Sequence, residues 1–175
     1  MALILNIETS TRVCSVSLAR NGELLSLKES RDEKSHAALL TIFIKDVLST
    51  GQYDISELDA VAVSKGPGSY TGLRIGVSVA KGITYGTGCK LLGIDTLLAM
   101  TAGVADKLIP REHPGNILLC PMIDARRMEV YMAIYKPDIS SFREISAQII
   151  HPGSFADILP EYQIWFFGNG AGKCR

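Results

Sequence analysis

The residues best suited to chemistry lie in one stretch, Ser64-Lys65-Gly66-Pro67-Gly68-Ser69-Tyr70-Thr71-Gly72-Leu73-Arg74-Ile75-Gly76. Glycines admit positive φ and close approach to the backbone, and the amides that open a helix present partial positive charge to an anion. A phosphate could therefore rest on Gly66, Gly68, Ser69, Thr71 and Gly72. The spacing Gly-x-Gly-x-x-x-Gly is one residue longer than the dinucleotide fingerprint, and a tight strand-to-helix turn calls for the same residues on structural grounds alone. Near the other end, Gly168-Asn169-Gly170-Ala171-Gly172-Lys173 imitates a Walker A loop with the wrong spacing, and Cys174 stands where a Ser or Thr would meet magnesium.

Two acids end apolar runs of similar pattern, Glu8 after Leu3-Ile4-Leu5-Asn6-Ile7 and Asp124 after Ile117-Leu118-Leu119-Cys120-Pro121-Met122-Ile123. Acids so placed can flank a cleft and organise a metal and a water, though a structural role is the simpler reading. The histidines, His36, His113 and His151, fall in separate segments, and no Ser/His/Asp order or zinc motif supports peptide hydrolysis. The cysteines, Cys14, Cys89, Cys120 and Cys174, form no Cys-x-x-Cys pair and read as isolated thiols of a reducing compartment. Neither a catalytic residue nor a metal ligand set is expected.

The elements that must position these residues follow from periodicity. The opening residues read as strands, with Asn21-Gly22 as a hairpin turn. A helix runs from a Ser35 N-cap to a stop at Gly51. Ala60-Val61-Ala62-Val63-Ser64 is a strand, followed by the glycine loop, a helix over 71–84, a short strand ending at Asp95, and a third helix over 96–108 that stops before Pro110. Residues 111–115 have the composition of a connector. The opening pattern then returns in weaker form, with strands near 117–124, 130–135 and 142–150, a short helix over 154–159 and a strand at Ile164-Trp165-Phe166-Phe167. The domain reading is residues 1–110 and 111–175, an α/β chain of two similar lobes around a cleft, the second expected to be incomplete because its last strand lacks a covering helix.

A chain of 175 residues suffices for one average domain or two small lobes. Eighteen Lys and Arg balance eighteen Asp and Glu, so no global field exists to hold nucleic acid or an anionic membrane. No apolar run approaches the ~20 residues of a membrane span, and a cytoplasmic protein is expected.

The first helix spreads Leu39, Leu40, Ile42, Phe43, Ile44, Val47 and Leu48 over roughly 240° of arc, against the ~100° that one buried face requires. The second carries Gly72, Gly76 and Ala80 at i, i+4 and i+8, a flat stripe that another element could approach closely. Both helices could equally be sandwiched inside their own lobe.

Gly66-Pro67-Gly68-Ser69-Tyr70-Thr71-Gly72-Leu73-Arg74-Ile75-Gly76 resembles the signature of the bacterial TsaB (YeaZ) family of tRNA threonylcarbamoyladenosine biosynthesis. Leu5-Asn6-Ile7-Glu8-Thr9-Ser10-Thr11, Asp124-Ala125-Arg126-Arg127-Met128-Glu129-Val130-Tyr131 and Gly168-Asn169-Gly170-Ala171 resemble three further family segments, although Glu8 stands where the family has Asp. The resemblance spans the chain, and members generally continue well past residue 175, which agrees with a truncated second lobe. It implies the duplicated actin-like ATPase, ribonuclease H-like fold and a non-catalytic subunit that dimerises with TsaD. The catalytic paralogue TsaD carries a His-x-x-x-His metal pair, and alignment puts Thr96 and Met100 at those positions. The implied interface is Leu39, Leu40, Ile42, Phe43, Val47, Gly72, Gly76 and Ala80, with homodimerisation of the isolated chain. The TsaE ATPase is the implied second partner, and tRNA is reached indirectly. No cofactor is expected of the chain itself; ATP or ADP is left open for the assembled complex, and so is a nucleotide-binding α/β enzyme that uses the glycine loop for phosphate and Asp95 for ribose.

Overall fold

The computed structural model describes residues 1–32, 36–108 and 115–174. The chain divides into two compact units, Met1–Asp95 and Thr96–Arg175. The first contains β1 (Leu3–Glu8), β2 (Cys14–Arg20), β3 (Glu23–Ser30), α1 (His36–Gly51), β4 (Ala60–Gly66), α2 (Tyr70–Thr87) and β5 (Lys90–Asp95). Asn21 and Gly22 take φ of 52° and 85°, the left-handed pair that a two-residue hairpin requires. Five strands lie in the order β3-β2-β1-β4-β5, with β4 parallel to both β1 and β5. Alternation along β1 and β2 turns Leu3, Leu5, Ile7, Cys14, Val16 and Leu18 into one core with Leu40, Ile44, Val47 and Leu48 of α1 and Ala80 of α2.

The second unit contains α3 (Thr96–Leu108), β6 (Ile117–Asp124), β7 (Glu129–Tyr135), β8 (Ser141–Ile149), β9 (Gln163–Phe167) and a 3-10 turn at Ala171–Cys174. Its sheet runs β8-β7-β6-β9, with β9 parallel to β6 as β4 is to β1. An antiparallel meander followed by a parallel strand thus occurs twice, in the order 3-2-1-4. This is the expected duplicated ribonuclease H-like, actin-like arrangement. Leu118, Cys120 and Met122 pack on one side of β6 with Ile150, Phe155 and Ile158, and Leu119 and Ile123 on the other with Leu97.

Three local expectations change. The division falls at Asp95/Thr96 rather than at 110/111, because the apolar side of α3 is satisfied by β6 and β7. At the end of α1, Gly51 is still helical and Gln52 takes the left-handed conformation, φ 60°. The amides of Gln52 and Tyr53 close that end on the carbonyls of Ser49 and Leu48. Gly51 is needed for space instead, since a Cβ there would lie 2.7 Å from Leu18 Cδ2. Residues 154–159 form successive turns, not a regular helix, and Pro160 has no amide hydrogen to continue the Leu159-to-Phe155 ladder. The proposed Ser35 cap, Pro110, His113 and most of the connector lie outside the described residues.

Candidate functional site: the glycine loop, the helices it supports and the second hairpin

The glycine loop joins β4 to α2 and lies against the β1–β2 turn. Ser69 caps α2, its Oγ accepting the Gly72 amide at 3.3 Å and its carbonyl the Leu73 amide at 2.8 Å. The Ser69 amide itself donates to the Ser10 carbonyl at 2.6 Å. A Cβ on Gly68 would lie 2.6 Å from Ser10 Cβ, one on Gly72 would strike the Thr9 carbonyl oxygen, and one on Gly76 would strike Thr9 Oγ1. The glycines therefore let α2 descend onto β1.

Three of the loop's helix-opening amides are thus engaged by protein oxygens. Glu8 is engaged as well: Oε1 accepts the Ser10 amide at 2.6 Å, and Oε2 accepts the Ser64 hydroxyl. Lys65 Nζ stands 3.3 Å from Asp95 Oδ1. This cluster at the ends of β1, β4 and β5 carries two carboxylates and one ammonium, an unfavourable setting for phosphate. Burial, then the Glu8 carboxylate, pushes the Cys14 thiol pKa up. Ser10 Oγ is buried and, like Thr96 Oγ1 at the start of α3, has no partner among the described residues.

The expected interface residues separate into two groups. Leu40 and Val47 are fully buried in the first unit's core, and Gly72, Gly76 and Ala80 are buried against it. The small-residue stripe serves the contact of α2 with its own sheet, so these five belong to the interior. Leu39 is half-buried, Phe43 is partly buried against the core, and Ile42 is 50% exposed. The outer side of α2 adds Tyr70, with Arg74 stacked over its ring, and Tyr85, 94% exposed.

In the second unit Asp124 ends β6, as Glu8 ends β1. Its Oδ1 accepts Lys173 Nζ at 2.7 Å and the Arg126 amide at 2.6 Å, while Lys173 also donates to the Glu129 carbonyl. Asn169 Oδ1 accepts the Asp124 amide at 2.9 Å. The late glycine loop thus clasps the β6–β7 hairpin. Thr96 opens α3, and Met100 lies one turn on. Among the described residues no three His, Cys, Asp or Glu side chains gather to hold a metal. No described helix is long and apolar enough to cross a membrane.

The loop, the two-sheet duplication and the hairpin clasp coincide with the segments that resembled one family. A family model described as "TsaD: tRNA N6-adenosine threonylcarbamoyltransferase" matches residues 28–156. The chain belongs to this family. Several of its curated relatives carry the name tRNA threonylcarbamoyladenosine biosynthesis protein TsaB. The Escherichia coli protein is 34% identical over 135 residues, 77% of this chain and 55% of its own length. The Bacillus subtilis protein is 29% identical over 133 residues, 76% of this chain and 55% of its own length. The chain spans about half the length of these TsaB relatives. In structure it is similar to YeaZ from Pseudomonas aeruginosa, with a TM-score of 0.79 and 24% identity, covering 99% of this chain and 79% of that one.

Sequence reasoning missed Thr9, Ser64, Lys173 and the paired arginines of the second hairpin. Thr9 meets Gly72 across 63 positions, and Lys173 meets Asp124 across 49. No local period announces contacts of that kind.

Proposed function

We propose that this chain is a non-catalytic TsaB-type subunit that pairs with TsaD and supports threonylcarbamoyl transfer to tRNA adenosine. The observation that carries the reading is Ile42, half exposed on α1 between the half-buried Leu39 and Phe43. An apolar patch on a helix whose opposite side already fills a core is suited to a partner. Tyr70 and Tyr85 on α2 are also exposed, with large amphipathic rings of the kind enriched at interfaces. The same surface supports a homodimer of the isolated chain, and TsaE joins as the ATPase component. tRNA is reached within this assembly in the cytoplasm, and the chain itself needs no cofactor.

The test is a Leu39→Asp/Ile42→Asp double variant. Folding should be retained, because neither side chain is part of the buried core, while co-purification with TsaD and self-association are lost. Retention of TsaD by the folded double variant overturns the reading.

One atom favours a second reading, a nucleotide held only in the assembled complex: Ser10 Oγ beside the glycine loop, buried without a partner among the described residues. Calorimetry with ATP and ADP should then show binding to the TsaD complex and none to the isolated chain; no heat from the complex removes this reading.

A further inference from the structure

The β6–β7 hairpin turns through Arg126 and Arg127, with φ of 72° and 46°, and closes with the Glu129 amide on the Arg126 carbonyl at 3.0 Å. The left-handed region favours glycine or asparagine, and side chains held there are strained. Two consecutive arginines thus occupy positions where smaller residues would be more stable. Both are exposed, and among the described residues neither guanidinium has an acidic partner. The nearby Asp124 is already bound to Lys173 and to the Arg126 amide, so it anchors the turn. Met128, 50% exposed, and Ile149, 65% exposed, sit beside the pair, with the Ile150 amide donating to the Met128 carbonyl.

We infer that this hairpin tip is a contact for the phosphate backbone of RNA, Arg126 and Arg127 supplying two guanidinium forks. Guanidinium matches phosphate by charge and by paired N–H geometry, which explains arginine where the backbone prefers glycine. The chain has equal numbers of acidic and basic residues, so any RNA contact must be local rather than a product of its net field. The choice of RNA over an acidic protein rests on the proposed place in tRNA modification.

The experiment compares wild type with Arg126→Gly/Arg127→Gly and Arg126→Lys/Arg127→Lys, using an unmodified tRNA transcript, on the chain alone and with TsaD. The glycine variant should melt about 2–4 °C higher for each residue relieved, as a check on folding. Its tRNA affinity should fall about tenfold near 0.1 M salt, and the slope of log K against log salt should shrink by about 1–2. The lysine variant should keep the slope and lose part of the affinity. Equal affinity and slope in wild type and glycine variant, absence of tRNA binding by wild type alone and with TsaD, or polyglutamate competing as well as tRNA would overturn the inference. Failure to pair with TsaD would sink the proposed function, while the comparison on the chain alone still decides this contact.

Discussion

Thr9 Oγ1 donates to the Gly72 carbonyl at 2.8 Å, tying the β1–β2 turn to the first turn of α2. The bond is buried and is possible only because Gly72 and Gly76 present no side chains to Thr9. A loop that looks built for phosphate therefore acts first as a seat for its own sheet.

Gly72→Ala and Gly76→Ala should each destabilise the protein by about 1–3 kcal/mol, since the new Cβ meets backbone or a packed hydroxyl and α2 must lift. Gly82→Ala on the same helix meets nothing within 4 Å and should stabilise it by about 0.5–1 kcal/mol. Denaturant midpoints of the three variants test this; equal effects at all three positions would refute the seating role.

Burial holds the thiol of Cys120 well above the ordinary value of 9.0, with the neighbouring Cys174 adding to the rise. A raised folded pKa favours the neutral thiol, so its contribution to stability is intact below the ordinary value of 9.0. It is lost as pH climbs toward the folded pKa, with a slope of up to about 1.4 kcal/mol per pH unit. Urea midpoints should fall more steeply between pH 9 and 10.5 in wild type than in Cys120→Ala. Identical slopes would show that Cys120 does not carry the alkaline loss.

Lys173 keeps 15% of its side chain exposed and bonds both Asp124 and the Glu129 carbonyl. Asp124→Ala should cost about 1–3 kcal/mol, because it leaves a largely buried ammonium without its carboxylate. Lys173→Met, which keeps the stem and removes the charge, should cost less. Amide exchange at Arg126 and Glu129 should quicken in Asp124→Ala, and unchanged protection there would disconnect the clasp from the hairpin.

Regular elements were legible wherever a single period dominated. The bounds of α3 and β6 match their expected residues, and β1 runs from Leu3 to Glu8 as its alternation requires. The Asn21-Gly22 turn was likewise visible as local chemistry, whereas the capping role of Ser69 was not. Less legible was the direction in which a helix faces. Gly72, Gly76 and Ala80 form the same stripe whether they meet a partner or β1, and only the position of Thr9 distinguishes the two. In α1 the broad apolar arc divides between Leu40 and Val47 in the core and Ile42 at the surface, according to where β2 and β3 lie beneath it.

Periodicity, caps and turn residues were enough to establish an α/β chain with a repeated strand pattern, and the glycine signature was enough to suggest its family. These depend on interactions within a few residues, which a linear pattern records directly. Tertiary contacts assigned α3 to the second unit, closed Glu8 on Ser64, and clasped Asp124 with Lys173. Each joins groups dozens of positions apart, and burial and hydrogen bonding across such distances arise only when the sheets bring those positions together.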